Sequence, residues 1–200
     1  MTSVISPSPP GQPLTIEASA RAAGAWAWAE RSLYEVVGGW VGSTSSADAK
    51  VYLDACSQHH AWRAQLWLER LPARLVPAGP GAPAAEVVAP QSGGAEEAMG
   101  VLAALEGDAA RLGAYCRAVL PRCAVAYRGW QERCSPATDR PVARVVTLAL
   151  ADVMADWQEG AGVLLGLLEG PSGDEAARSA ARSPGEIDRL LIGRSLVPGA

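Results

Sequence analysis

An apolar repeat with helical spacing constrains the fold of this chain more than any other feature. Between residues 15 and 41, apolar side chains recur every three or four residues, which places them on one face of an α-helix. No stretch alternates apolar and polar residues in the way that predicts a half-buried β-strand. The sequence therefore predicts an all-α protein. The residues of this first stripe are Ala22, Trp26, Ala29, Leu33, Val37 and Trp40.

Proline and glycine divide the helical pattern into four long helices. Residues 72–94 carry five prolines and four glycines, so we expect an irregular connection there. Pro121 lacks an amide donor, and we expect it to bend or interrupt the third helix. The predicted helices span residues 15–41, 47–71, 95–133 and 140–169.

These elements predict one helical domain with two flanking segments. Residues 1–14 are expected to form a flexible N-terminal tail, and residues 15–169 an antiparallel four-helix bundle. Residues 170–200 are expected to form a linker and a short helix that begins after Ser183. A single long crossover, residues 72–94, lies between the second and third helices, as in ferritin-like topologies.

The charge balance argues against several classes of function. The chain has 17 basic and 21 acidic residues, a net charge of −4, which provides no basic field for nucleic acids or anionic membranes. The apolar run at residues 161–168 is far shorter than the roughly 20 residues of a membrane helix. The amino terminus lacks the pattern of a secretion signal. We therefore expect a soluble, cytoplasmic protein that binds neither nucleic acid nor membrane.

Composition adds two expectations. The bias toward Ala, Arg, Gly and Pro, with a single lysine and no Phe, is typical of a GC-rich, bacterial genome. The four cysteines form no C-x-x-C motif, and the sequence predicts free thiols. They are Cys56, Cys116, Cys123 and Cys134.

The only two histidines, His59 and His60, are adjacent in "LDACSQHHAWRAQLWLERLP", residues 53–72. Projection of the second helix places His59 on the apolar face and His60 to one side. We therefore predict that His59 is buried near an acid from another helix, and that His60 is more exposed. The apolar face in this projection consists of Tyr52, Ala55, Cys56, Trp62 and Leu66.

Three carboxylates also lie on predicted apolar faces. Glu30 follows Trp26 on the first helix, and Asp152 and Asp156 lie one turn apart on the fourth. A carboxylate is almost never buried without a partner. The pattern predicts that these acids bond to one another, to an inward-facing arginine or histidine, or to a metal ion.

This arrangement resembles the ferritin-like superfamily of carboxylate-bridged metal proteins, in which a Glu from each of two helices joins a Glu-x-x-His from each of the other two. The resemblance covers residues 15–169. Glu30 and His59 match that pattern in type and place, Asp152 takes the place of one acid, and Cys56 replaces the Glu of the second-helix motif. The fourth helix has no histidine three residues after Asp152.

The resemblance implies an altered ligand set for Fe, Mn or Zn. Cys56 and His59, one turn apart on the same helix, are also suited by type to zinc. The candidate metal ligands are Glu30, Cys56, His59, Asp152 and Asp156.

The tryptophans are expected mainly to fill a core that has no Phe, and the alternative is that those off the core faces bind a protein partner. Of seven tryptophans, Trp26, Trp40 and Trp62 lie on predicted core faces, whereas Trp28 and Trp67 lie off them. Exposed tryptophan is common at interfaces. The chain contains no G-x-S-x-G, P-loop or H-E-x-x-H motif, so we assign no catalytic residue.

The leading hypothesis is a non-enzymatic, degenerate ferritin-like bundle that acts, without a cofactor, by self-association or by binding a protein partner. The alternative is a metal-dependent oxidoreductase of that superfamily with the altered ligand set. A third hypothesis, a binder of a small anionic or aromatic molecule between the helices, rests on the tryptophan and arginine content.

Overall fold

The computed structural model describes residues 15–71, 87–135, 137–170, 173–191 and 196–197, and these form α-helices with short connections and no strand. The all-α prediction is confirmed for this part of the chain. None of the helices is long and apolar enough to cross a membrane. The predicted tail, residues 1–14, and most of the predicted crossover, residues 72–86, lie outside the described residues.

Helices α1 (Ile16–Val41) and α2 (Ala47–Leu68) form an antiparallel pair. The Ser57 hydroxyl donates to the Tyr34 carbonyl, whereas the Trp26 ring stacks on Trp67. Tyr34 follows Trp26 in α1, but its partner Ser57 precedes Trp67 in α2. The two helices therefore run in opposite directions. Five of the six residues on the predicted stripe of α1 are buried, as expected from the apolar repeat, and Ala22 is partly exposed.

The third predicted helix is broken. The prediction of one helix over residues 95–133 is wrong, because helix α3 (Gly93–Ala103) ends before Gly107 and helix α4 (Asp108–Ala114) begins after it. Gly107 has a φ of 83°, which an α-helix does not contain and which a side chain disfavours.

Pro121 interrupts the regular hydrogen bonding of the same segment, as predicted. A π-helical turn (Tyr115–Val119) joins α4 to helix α5 (Leu120–Arg133). The amide of Leu120 donates to the carbonyl of Tyr115, five residues earlier. Since proline has no amide hydrogen and crowds the carbonyl one turn before it, a wider turn relieves both problems.

Helix α6 (Arg140–Leu168) matches its predicted bounds within one residue. Helix α7 (Gly173–Leu190) begins before the predicted cap, Ser183, and includes it, so the predicted short helix is a long one. It packs against α4, where a Cβ added to Gly113 would lie 2.6 Å from the carbonyl oxygen of Ala180. The Ser183 hydroxyl does not cap a helix but donates to the carbonyl of Ala110 at 2.7 Å.

Candidate functional site

The buried face of α2 is displaced by one residue from the face predicted on hydropathy. Trp62 is 46% exposed and Trp67 is 1% exposed, so the prediction that Trp62 lies in the core and Trp67 outside it is wrong. The reason is that the buried face includes the polar residues Ser57, His60 and Arg63, which a hydropathy projection turns toward solvent. The buried residues of α2 are Ala49, Tyr52, Leu53, Cys56, Ser57, His60, Arg63, Ala64 and Trp67.

The two histidines are placed opposite to the prediction. His60 is fully buried, whereas the side chain of His59 is 44% exposed. His59 nevertheless contacts an acid from another helix, as predicted: its Nδ1 lies 2.7 Å from Oδ1 of Asp156 on α6. The expectation of a histidine in the interior is correct, and the one that occupies it is His60.

Glu30 lies at the centre of a buried polar cluster. Its Oε2 accepts hydrogen bonds from Nδ1 of His60 at 2.6 Å and from Nε of Arg63 at 3.0 Å. Its Oε1 accepts from the hydroxyl of Tyr127 at 2.5 Å. We use the name "polar cluster" for a fixed set of residues. They are Glu30, His60, Arg63, Tyr115, Tyr127, Asp152 and Asp156.

The surroundings of Glu30 keep it ionised. Burial on its own raises the pKa of this carboxyl, but the Arg63 guanidinium and the hydrogen-bonded His60 outweigh it and hold the pKa at about 2 instead of 4.5. Glu30 is therefore a carboxylate with three hydrogen-bond donors, all from the chain itself.

His60 is the neutral member of the cluster. Burial and the nearby Arg63 guanidinium lower the pKa of His60, although the Glu30 carboxylate acts in the opposite direction. A carboxylate at 2.6 Å requires a proton on Nδ1, which leaves Nε2 as the acceptor for the Tyr115 hydroxyl at 2.8 Å. Nη2 of Arg63, 2.9 Å from the same Nδ1, then makes a close contact without a hydrogen bond.

Arg63 connects the cluster to α6. Its Nη1 donates to Oδ2 of Asp156 at 3.1 Å and to the carboxylate of Asp152. The guanidinium, fully buried, thus joins an acid from α1 to two acids from α6. Of the partners considered for Asp152 and Asp156, an inward arginine is therefore one that the structure shows.

Two tyrosines of the polar cluster were not predicted from the sequence. Tyr115 lies in the π-helical turn and Tyr127 in α5, and burial raises the pKa of both hydroxyls, so that they remain donors. Nε1 of Trp67 donates to the Tyr127 hydroxyl at 3.1 Å. A detectable signal was available: both tyrosines lie on buried stretches and carry a polar group that needs a partner.

Cys56 is buried, unlike the half-exposed His59. It is a buried free thiol, and so are Cys116 and Cys123, while Cys134 is free and half-buried. Burial raises the pKa of the Cys56 thiol. Among the described residues, Cys56 is not in the group whose ligand atoms converge with those of His59, which weakens the predicted zinc pair of Cys56 and His59.

Among the described residues, one group of side chains has the geometry of a metal site: His59, Asp152 and Asp156. One ligand atom from each lies within 4.8 Å of the others. Asp152 is 23% exposed, so the group is reached from solvent. The structure brings together these three of the five predicted ligands. Glu30 and Cys56 do not belong to the group.

The second candidate surface is the outer face of α6, which points away from the polar cluster. It is largely apolar, and its two largest aliphatic side chains, Leu148 and Leu165, are 39% and 56% exposed. A shallow depression lined by Met154, Trp157 and neighbouring small residues borders it. The outer face comprises Arg144, Leu148, Ala151, Ala155, Gln158, Gly162, Leu165 and Glu169, all exposed.

No protein-family model, no curated protein and no solved structure matches this chain. A function is therefore inferred from the side chains of the polar cluster and of the outer face of α6.

Proposed function

We propose that this protein acts by binding another protein surface, without catalysis, and that the outer face of α6 is the binding surface. The observation that carries the proposal is the row of eight exposed positions on this face, of which only Arg144 and Glu169, at the two ends, are charged. Contiguous exposed apolar surface is uncommon on monomeric proteins and marks interaction sites.

The polar cluster supports a structural role for the interior. Glu30, His60 and Arg63 are fully buried, and each bonds to side chains of the same chain. Three carboxylates face one guanidinium, with neutral donors around them. Buried charges arranged in this way fix which helix faces meet, because any other packing would leave a charge unpaired.

The proposal includes a four-helix bundle of the ferritin-like type. Helices α1, α2 and α6 and the α4–α5 segment would be its four members, with the crossover between α2 and α3. In the family that this chain resembles, metal ions lie between such acids. Here we propose that the Arg63 guanidinium supplies the positive charge instead.

A metal-dependent oxidoreductase is the second candidate, and one observation favours it. His59, Asp152 and Asp156 offer three ligand atoms at the edge of the polar cluster. Imidazole and carboxylate suit Zn, Fe and Mn. Arg63 already bonds to both aspartates and would compete with the ion. Incubation with Fe²⁺ or Mn²⁺ followed by elemental analysis tests the metal site on which this candidate depends: about one ion per chain, lost in Asp156→Asn, supports it, and no bound ion contradicts it.

Site-specific photocrosslinking tests the binding surface whatever the identity of the partner. A photoreactive phenylalanine analogue replaces Leu165 in the full chain, expressed in the cells that make the protein. The control replaces Val125 on α5, which is 66% exposed. We expect a discrete adduct at position 165 and none at 125. Equal labelling at both positions would contradict the proposal.

A further inference from the structure

We propose that the partner of the outer face of α6 is a second copy of this chain, packed antiparallel on the same face. The inference rests on the proposed function, since it takes this face as the binding surface. It adds the identity of the partner and the register of the contact.

The outer face has the spacing of a coiled-coil seam. Its eight positions are separated alternately by four and three residues, from Arg144 to Glu169. This alternation is that of the a and d positions of heptad repeats, which face a partner helix. Within α6 the opposite side, with Val145, Val153 and Asp156, is the one that is buried in the chain. The outer face is therefore a second packing face of the same helix.

The outer face of α6 is complementary to the same face of a second copy only when the two helices run antiparallel. A two-fold axis at the level of Asp156 and Trp157 aligns opposite charges, the two leucines and two small residues in three of the four layers. In a parallel alignment, Arg144 would face Arg144 and Glu169 would face Glu169. The antiparallel layers are Arg144 with Glu169, Leu148 with Leu165, Ala151 with Gly162, and Ala155 with Gln158.

Gly162 supports a close approach of the two helices. Helix interiors disfavour glycine relative to alanine. Nothing lies within 4 Å of a Cβ added at Gly162, so packing within the chain does not require glycine there. By contrast, a Cβ at Gly160 would collide with the Tyr52 ring. Small side chains at a helix contact reduce the distance between the helix axes, so glycine at position 162 permits a close approach of the two copies.

Sedimentation equilibrium of the full chain tests the pairing. An interface confined to one helix is small, so we expect a dissociation constant on the order of micromolar. Over roughly 1 to 100 µM protein, the mass should rise from the 20.7 kDa of one chain toward twice that value. Leu165→Glu should remain monomeric and fully helical, whereas Val125→Glu should associate like the unmodified chain. A constant monomer mass for the unmodified chain would overturn the inference.

Charge exchange tests the direction. Arg144→Glu and Glu169→Arg each place like charges opposite one another in the antiparallel dimer. We expect each to weaken association about threefold to tenfold, and the double variant to restore it. Additive weakening in the double variant would contradict the antiparallel register.

Disulfide trapping tests the register itself, in a Cys134→Ser background. Leu148→Cys and Leu165→Cys chains, mixed and oxidised, should form the mixed disulfide. Two copies of Leu148→Cys should not cross-link, because their residues lie roughly 25 Å apart along the axis. Efficient Leu148→Cys homodimers would indicate a parallel pair and overturn the proposal. A monomeric protein that still gives a photoadduct with another protein at Leu165 would refute self-pairing alone and retain the binding surface.

Discussion

The buried face of α2 carries Ser57, His60 and Arg63, whereas the exposed outer face of α6 carries Leu148, Ala155 and Leu165. Hydropathy alone would assign these faces the other way round. The difference teaches that polar side chains enter the interior when their partners are supplied by neighbouring helices, and that apolar side chains remain outside when a partner protein can cover them. Stability is thus expected to depend on the first face and association on the second.

Removal of the buried cation should have the largest effect. Arg63→Met leaves Glu30 and Asp156 without their cationic partner, and we expect a loss of about 3–5 kcal/mol in the free energy of unfolding. The control, Arg31→Met, breaks an exposed pair with Glu35 and should cost less than about 0.5 kcal/mol. Urea unfolding measures both. Equal effects of the two substitutions would contradict a central role for Arg63.

The two tryptophans of α2 sharpen the assignment of its buried face. Trp67→Ala removes a buried ring that stacks with Trp26 and bonds to Tyr127, and should cost about 3–5 kcal/mol. Trp62→Ala, on the exposed side, should cost less than about 1 kcal/mol. Thermal unfolding of the two variants compares them. A larger loss of stability from Trp62→Ala than from Trp67→Ala would support the buried face that was predicted from hydropathy.

Acid should weaken the fold through Glu30 and His60. Both have a pKa in the folded state below the ordinary value, so the unfolded chain binds more protons, and stability falls as the pH falls. The His60 contribution should be lost below about pH 6.5. The Glu30 contribution, about 3 kcal/mol, should be lost between pH 4.5 and 2.

Urea midpoints measured from pH 7 downward test this dependence. Glu30→Gln removes the titrating carboxyl and should flatten the curve below pH 4.5. An unchanged slope in that variant would show that other groups cause the acid sensitivity.

The neighbouring histidines should differ by a smaller amount. His60→Ala removes one of the three hydrogen-bond donors of Glu30 and leaves the Tyr115 hydroxyl without its acceptor, and we expect a loss of roughly 1–3 kcal/mol. His59→Ala, at a half-exposed position, should cost less. Denaturant unfolding at pH 7 compares the two, and a larger cost for His59→Ala would contradict the placement of His60 inside.

Much of the fold follows from the sequence where the apolar repeat is unbroken. In α1 and α6 the inward positions are mostly apolar, so the period gave their bounds within one residue. In α2 the apolar repeat predicted the wrong buried face, because three polar residues lie on the face that is buried. The third helix was predicted as continuous, and the positive φ of Gly107 interrupts it.

The candidate site was predictable in its members more than in its arrangement. Buried acids need partners, which identified Glu30, Asp152 and Asp156 and suggested an inward arginine. Which histidine turns inward depends on a rotation of α2 by one residue, and that rotation is fixed by contacts between distant segments. Tyr115 and Tyr127 come from the segment whose helix was predicted incorrectly, so the sequence indicated that their hydroxyls need partners but not that Glu30 and His60 are those partners.

The ionisation of His60 tests most directly the claim that a neutral histidine, an ionised Glu30 and Arg63 hold the buried face of α2. Nitrogen-15 NMR of the imidazole rings reports the protonation of each histidine as the pH is lowered. The structure predicts that neutral His60 carries its proton on Nδ1 and that its pKa in the folded protein lies below the ordinary value of 6.5. A His60 that titrates reversibly near pH 6.5 in the folded protein would contradict this arrangement.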